Sequence, residues 1–238
     1  MFSLIIVVLL SYLLGSVPTS IIITKALKGI DIRNYGSGNA GGTNVIRVIG
    51  WGPGVFVILF DAMKGFLAAV VLSRLFYGNF PLDNATPFSD FTVVQIIAGI
   101  SAILGHTWTV FAGFKGGKGI ATAGGMLVGI APIEVAIAAG VFAVVVASSR
   151  YVSLGSVSAA VAFPLAMFVR ANVFDVATKY YHSMIFFSIA ISGFLIYNHR
   201  ANISRLLHGR EHRLEKLRFF YRAKSHHPQP GSPTNLGK

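Results

Sequence analysis

The sequence predicts an all-α polytopic membrane protein with seven transmembrane helices, its N-terminus outside and its C-terminus cytoplasmic. Of 238 residues, 54% are hydrophobic and only 12% charged, about half the charged share of an ordinary soluble domain. Long apolar stretches recur, most of them near the roughly 20 residues that cross a bilayer. The basic residues gather in alternate connecting segments, which sets the orientation.

The first apolar stretch, residues 2 to 24, has no basic leading region and runs directly into further spans. It reads as a retained helix and not a cleaved signal. Gly15, Ser16 and Pro18 within it suit close packing and a kink. The second stretch, 53 to 77, contains Asp61 and Lys64 three residues apart, where they share a helix face. Facing lipid they would be costly, so they are expected to face the bundle and support each other or the loop above. The third stretch is 92 to 110. The fourth, 119 to 149, would measure about 46 Å as one helix, too long for a hydrocarbon core of about 30 Å. Pro132 and Glu134 are expected to split it in two. The stretches 153 to 170 and 181 to 198 complete the set. Ser153 and Ser156 open the first of these, where helix capping is the ordinary role and donation to a ligand the alternative.

Seven crossings put segment 25–52, segment 111–118, the turn at Arg150 and the C-terminal tail on one side. That side holds sixteen Lys and Arg, nine of them beyond the last apolar stretch, from Arg200 onward. The other holds Arg170 and Lys179 with the acids Asp83, Asp90, Glu134 and Asp175. Six crossings would push these nine cations outside, against the positive-inside bias. Residues 1–211 read as one membrane domain and residues 212–238 as a basic, disordered cytoplasmic tail ending in SHHPQPGSPTNLGK.

The formal charge of +12 implies anionic partners. Lipid headgroups and phosphorylated substrates fit; nucleic acid does not, because no soluble domain is present to carry a basic groove. The chain has no cysteine, so a thioester acyl-enzyme is excluded. No His, Asp and Glu cluster has metal-ligand spacing, so neither a metal nor a cofactor is expected.

Three cytoplasmic segments are unlike connecting loops. GSGNAGGTNVIR, Gly36 to Arg47, combines glycines, a hydroxyl, amides and an arginine. Gly36, Gly38 and Gly41 allow backbone N–H groups to approach an anion, with Ser37, Asn39, Thr43 and Asn44 as neutral donors beside the charge of Arg47. The G-x-G-x-x-G spacing is no dinucleotide fingerprint, since a membrane helix precedes it instead of a strand. The second segment, GHTWTVFAGFKGGKGIATAGG, places Lys115 and Lys118 around Gly116 and Gly117 at the start of a helix. Backbone donors, helix dipole and lysine then converge as a phosphate site requires. It misses the Walker A pattern at Ala112 and Gly119, which argues against nucleotide hydrolysis. The third, NHRANISRLLHGRE, carries His199, Arg200, Asn202 and Arg205. His199 and Asn202 share a helix face and can point back at a pocket mouth; Arg205 either joins them or sits among headgroups.

Together these segments resemble the three signatures of the bacterial acyl-phosphate glycerol-3-phosphate acyltransferases, the PlsY type, over nearly the whole chain to Glu211. The resemblance implies a seven-span inner-membrane enzyme moving a fatty acyl group from acyl phosphate to the 1-hydroxyl of glycerol 3-phosphate, giving lysophosphatidate. Ser37, Arg47, Lys118, His199 and Asn202 match its substrate pocket, with Asn44, Lys115 and Ser153 near it and Asp61, Lys64, His106 and Arg205 in support. An enzyme that produces acyl phosphate is the candidate partner. Gly42 stands where Ala is usual and Thr109 where Pro is common.

An acyl phosphate is already activated, so the protein need only bring a hydroxyl to the carbonyl and stabilise the departing phosphate. His199 is assigned to substrate binding first and base catalysis second, because a substrate phosphate can itself take the proton. No histidine has the H-x-x-x-x-D spacing of thioester-dependent acyltransferases. The alternative is a transporter whose Gly-rich half-loops bind an anion or phosphate compound while helices rearrange. Against it, the polar segments cluster on one face instead of near the midplane.

Overall fold

The computed structural model describes residues 2–75, 91–176 and 181–214. Asp83, Asp90 and Lys179, counted in the charge balance, lie outside the described residues, as does the tail from 215 onward. Among the described residues the chain is helical throughout, and six segments are long and apolar enough to cross a membrane. This is an all-helical integral membrane protein.

Helix α1 (Phe2–Ser16) and helix α2 (Thr19–Lys28) divide the first apolar stretch at Val17 and Pro18, the kink that proline imposes. A short helix α3 (Gly42–Val48) follows the first glycine-rich segment and leads into α4 (Trp51–Val70) and, further on, α5 (Phe91–Thr107). The long fourth stretch divides into α6 (Ile120–Val128) and α7 (Pro132–Ser149). Pro132 makes that break as the first residue of α7, where its missing N–H costs nothing. Glu134 has no part in it: buried, it pairs with Arg170 near the far end of α8 (Val152–Asn172). Helix α9 (Tyr181–Asn198) and the short α10 (Arg200–Leu207) complete the order.

Glycines set how closely these helices approach. A Cβ at Gly15 would run into the carbonyl of Ala102, so α1 lies tightly on α5. Gly65 and Gly125 do the same between α4 and α6, against Thr122 and Ala62. Small residues at such crossings let packing replace the hydrophobic drive that lipid does not supply. Helix α7 packs on α8, and α8 on α9. A cluster of Ala69, Ile103, Ala123, Met126, Ala160, Ile191 and Leu195 joins this layer to the one formed by α4, α5 and α6. Large apolar side chains such as Leu59, Val144, Leu165 and Phe186 are exposed on the outside, as a lipid-facing surface requires.

Asp61 and Lys64 meet as expected. Their charged ends lie 2.6 Å apart, both buried, and Lys64 Nζ also donates to the Val17 carbonyl at 2.7 Å. The pair thus adds a buried charged donor to a carbonyl at the α1–α2 break that also accepts from the Thr19 N–H at 2.9 Å.

Candidate active site

The first glycine-rich segment is built around Asn44. Its Oδ1 accepts from the Ser37 N–H at 2.8 Å, and its Nδ2 donates to the carbonyls of Tyr35 at 2.9 Å, Asn39 at 3.1 Å and Ile32 at 3.2 Å. Every polar atom of this amide is used on the loop, so Asn44 shapes the segment and has no donor left for a phosphate. Gly36 (φ 58°) and Gly38 (φ 72°) adopt the left-handed backbone the wrap needs; a side chain at Gly36 would strike the Asn44 oxygen. Gly42 is required by a close approach of α3 to α4, where a Cβ would meet Ile58 and the Gly54 carbonyl.

Arg33 ties this loop to the second segment through the Ala112 carbonyl at 2.8 Å. There, Gly116 and Gly117 press against His106: their N–H groups donate to the carbonyls of Thr107 and His106, and a Cβ on either would collide with His106. His106 Nδ1 lies 3.6 Å from Asp61, so these two support the loop from beneath. Thr109 has φ −68°, an angle proline would also impose, and its hydroxyl donates to the Ser16 carbonyl. Gly119, left-handed at φ 84°, is the N-cap of α6 and leaves Lys118 at the helix entrance. Asn198 Nδ2 donates to the Lys118 carbonyl at 3.2 Å, bringing the third segment alongside.

Ser37, Asn39, Gly41, Thr43, Arg47, Lys118, Ser153, His199 and Asn202 all line one cavity of about 360 Å³. Lys115 does not: it is exposed, with its carbonyl turned to Arg33. Gly36, Gly38, Gly116 and Gly117 are outside the lining and build the walls. Ser153 is buried on the cavity wall and is no cap, since Tyr151 holds the N-cap position of α8. Among the described residues no group of three or more His, Asp or Glu converges as a metal would require.

Sequence reasoning missed Glu211. Its carboxylate is buried, accepting from Asn202 Nδ2 at 2.9 Å and Arg205 Nε at 2.8 Å. Arg205 therefore pairs with this acid, which reads in the sequence only as the last residue of the third segment and a domain edge. Beyond it the chain folds back over the mouth: Arg47 Nη2 reaches the His212 carbonyl at 3.4 Å, Arg213 donates to Tyr151 Oη at 2.8 Å, and the Leu214 N–H donates to the Arg150 carbonyl at 2.9 Å.

The electrostatics follow from burial. Lys118 is pushed down to about 8, by burial first and then by the Arg205 and Arg47 charges, with Glu211 opposing. Burial also lowers Arg47, whose Nε is buried without a partner. Burial alone would raise Glu211, but the bonds from Asn202 and Arg205 outweigh it and hold the carboxyl below its usual range. His199 is pushed down to about 4, mainly by burial, with its bond to Leu195 opposing and the Lys118 charge adding. Its Nδ1 lies 2.8 Å from the Leu195 carbonyl, so Nδ1 carries the proton and Nε2 is the acceptor. Lys118 donates to Asn202 Oδ1. The result is an anion-ready end with open cationic donors, continuous with an apolar arm between α6 and the α7–α9 layer.

A family model described as glycerol-3-phosphate acyltransferase matches residues 5–209. This chain belongs to the glycerol-3-phosphate acyltransferase family. Glycerol-3-phosphate acyltransferases of Chlorobaculum parvum and Chlorobium phaeobacteroides are 48% and 47% identical to it, over 87% and 90% of this chain and 95% and 98% of their own. Two crystal structures of PlsY (YgiH), an integral membrane glycerol 3-phosphate acyltransferase, are also similar. The glycerol 3-phosphate form gives a TM-score of 0.75 at 38% identity, and the lysophosphatidic acid form 0.72 at 37%, each covering 90% of this chain and 97% of the other. The chain is thus an acyltransferase that makes lysophosphatidate from glycerol 3-phosphate, and the transporter alternative falls.

Proposed function

We propose that the acyl donor is an acyl phosphate, that the acceptor is the sn-1 hydroxyl of glycerol 3-phosphate, and that the site opens to the cytoplasm of a bacterial inner membrane. The observation that carries the donor assignment is the pairing of a cationic cavity end, at Arg47 and Lys118, with an apolar arm, in a chain without cysteine. Two phosphate-bearing substrates need that charge, and an activated anhydride needs no covalent intermediate. The glycerol 3-phosphate form of the similar PlsY structure supports the acceptor.

The acceptor hydroxyl attacks the carbonyl carbon of the anhydride. An ester C–O bond forms, the carbonyl–phosphate C–O bond breaks, and inorganic phosphate leaves against Lys118 and Arg47. His199 Nε2 accepts the hydroxyl hydrogen bond, and a substrate phosphate takes the proton, because an imidazole near 4 is a weak base at neutral pH.

Seven crossings are supported by α6. Its nine residues pack on α4, with Gly65 against Thr122, Gly125 against Ala62 and Val70 against Gly129, and add a short helical passage to the six longer ones. The excess of cations in the segments around the cavity supports a cytoplasmic opening.

Purified protein supplied with labelled glycerol 3-phosphate and either palmitoyl phosphate or palmitoyl-CoA tests the donor. Product from the acyl phosphate alone, lost in Arg47→Ala and Lys118→Ala, is the expected result. Equal product from the CoA ester would overturn the assignment.

A further inference from the structure

We infer that Phe163 is the floor of an acyl-chain ruler, and that the depth between it and the cationic mouth sets which chain lengths this enzyme transfers. The inference takes the cavity's apolar arm as the seat of the acyl chain and so rests on the functional reading above. It goes further in naming what ends the arm.

The arm follows α8. Ser153 lines the cavity at its mouth and Phe163 at its other end; ten residues of helix separate them by about 15 Å. That is half of a hydrocarbon core of about 30 Å, so the arm offers one leaflet's depth. Leu127 and Val135 also line the cavity and pack in one cluster with Phe163. Beneath them the space is filled: Met167 and Met184 are buried against Leu127 and Phe163 in one cluster. Deeper still lies the Glu134–Arg170 ion pair. A longer chain must first displace packed side chains and then press a methyl group against charged ones, both unfavourable.

The floor is also held in place. Pro164 follows Phe163 inside α8 and has no N–H for the Ala160 carbonyl one turn back. Ser192 of α9 supplies the missing donor at 2.5 Å, pinning α9 to α8 directly above Phe163. The ring is therefore fixed by a proline step and a cross-helix bond, and a fixed floor is what a ruler needs. The opposite wall has slack: Gly124 of α6 lines the cavity, and a side chain there would meet nothing within 4 Å.

The test is a chain-length series of acyl phosphates, assayed as kcat/KM for wild type, Phe163→Ala, Gly124→Leu and Gly140→Leu. Gly140 also has open space around it but is outside the cavity lining, and Leu at positions 124 and 140 leaves the backbone undisturbed. Each buried methylene gained or lost changes kcat/KM about fourfold. Phe163→Ala is expected to move the optimum to chains about two to four carbons longer, and Gly124→Leu to shorter ones, with Gly140→Leu matching wild type. Profiles of Phe163→Ala and Gly124→Leu that superimpose on wild type would overturn the ruler, as would an equal shift in Gly140→Leu. If no acyl phosphate of any length is turned over, the donor assignment fails; the same series run as acyl-CoA then decides the floor by the same shifts.

Discussion

Asn202 donates through Nδ2 to Glu211 at 2.9 Å, and this bond decides which way the amide faces. Its oxygen is thereby turned to the Lys118 ammonium. One buried acid thus orients a neutral amide, and the amide aims the cation that meets substrate phosphate. Replacing Glu211 by Gln removes the charge while keeping the shape, so Asn202 loses its preferred orientation and Arg205 its counter-ion. The Glu211 side of this pair is buried and the Arg205 side a third exposed, so the loss is smaller than for a fully buried pair. Glu211→Gln is expected to lower the melting temperature in detergent and to cut kcat/KM; unchanged values of both would refute the coupling.

Lys118 carries a pH prediction. Its ammonium loses the proton near pH 8 in the free enzyme, so kcat/KM should fall as pH rises through about 8. Bound phosphate favours the charged form, which places the corresponding limb of kcat at higher pH. Lys118→Arg does not titrate in this range and should lose the limb while turning over more slowly. A wild-type profile flat to pH 9.5 would contradict this.

His199 should behave as a binding group. A general base contributes about 10²–10⁴-fold, whereas loss of one hydrogen-bond acceptor acts mainly on binding. His199→Ala is expected to raise KM for glycerol 3-phosphate and to leave kcat within about tenfold. A larger fall in kcat at saturating substrates would restore the base role.

Asp61 and Lys64 predict a rescue. Lys64→Met alone leaves the buried carboxylate with only His106 beside it and should lower stability, while Lys64→Met with Asp61→Leu should recover much of the loss. Thermal unfolding of the singles and the double, analysed as a cycle, gives the coupling. Additive losses would mean that the pair does not act as a unit.

The helices were readable because lipid imposes a coarse rule, apolar and long, that the stretches obey. Pro132 marked its own break in the same way. The three polar segments were readable too, since glycines with cations and amides have few other uses in a membrane protein. What stayed hidden depends on side-chain direction. Asn44 looks like a donor in the sequence, yet all its bonds turn inward to the loop. Lys115 and Lys118 share a glycine context, but only Lys118 stands at the entrance of α6, and Lys115 points to solvent. Glu211 is an acid in a basic stretch, which composition reads as a boundary; its burial comes from the chain returning across the mouth. A lone acid among cations at the end of the third polar segment was the available clue.

The return of residues 211–214 over the cavity bears on how the protein can be shortened. The match to the family model ends at residue 209, which invites a cut there for crystallisation or to splice a reporter. Such a cut removes the anion that Arg205, Arg47 and Lys118 share, leaving three like charges around an emptied niche. It also frees the Arg150 carbonyl from Leu214 and the Tyr151 ring from the Arg213 guanidinium that lies over it. The smallest fragment that keeps its own electrostatic balance therefore reaches at least to Leu214, and fusions belong beyond it.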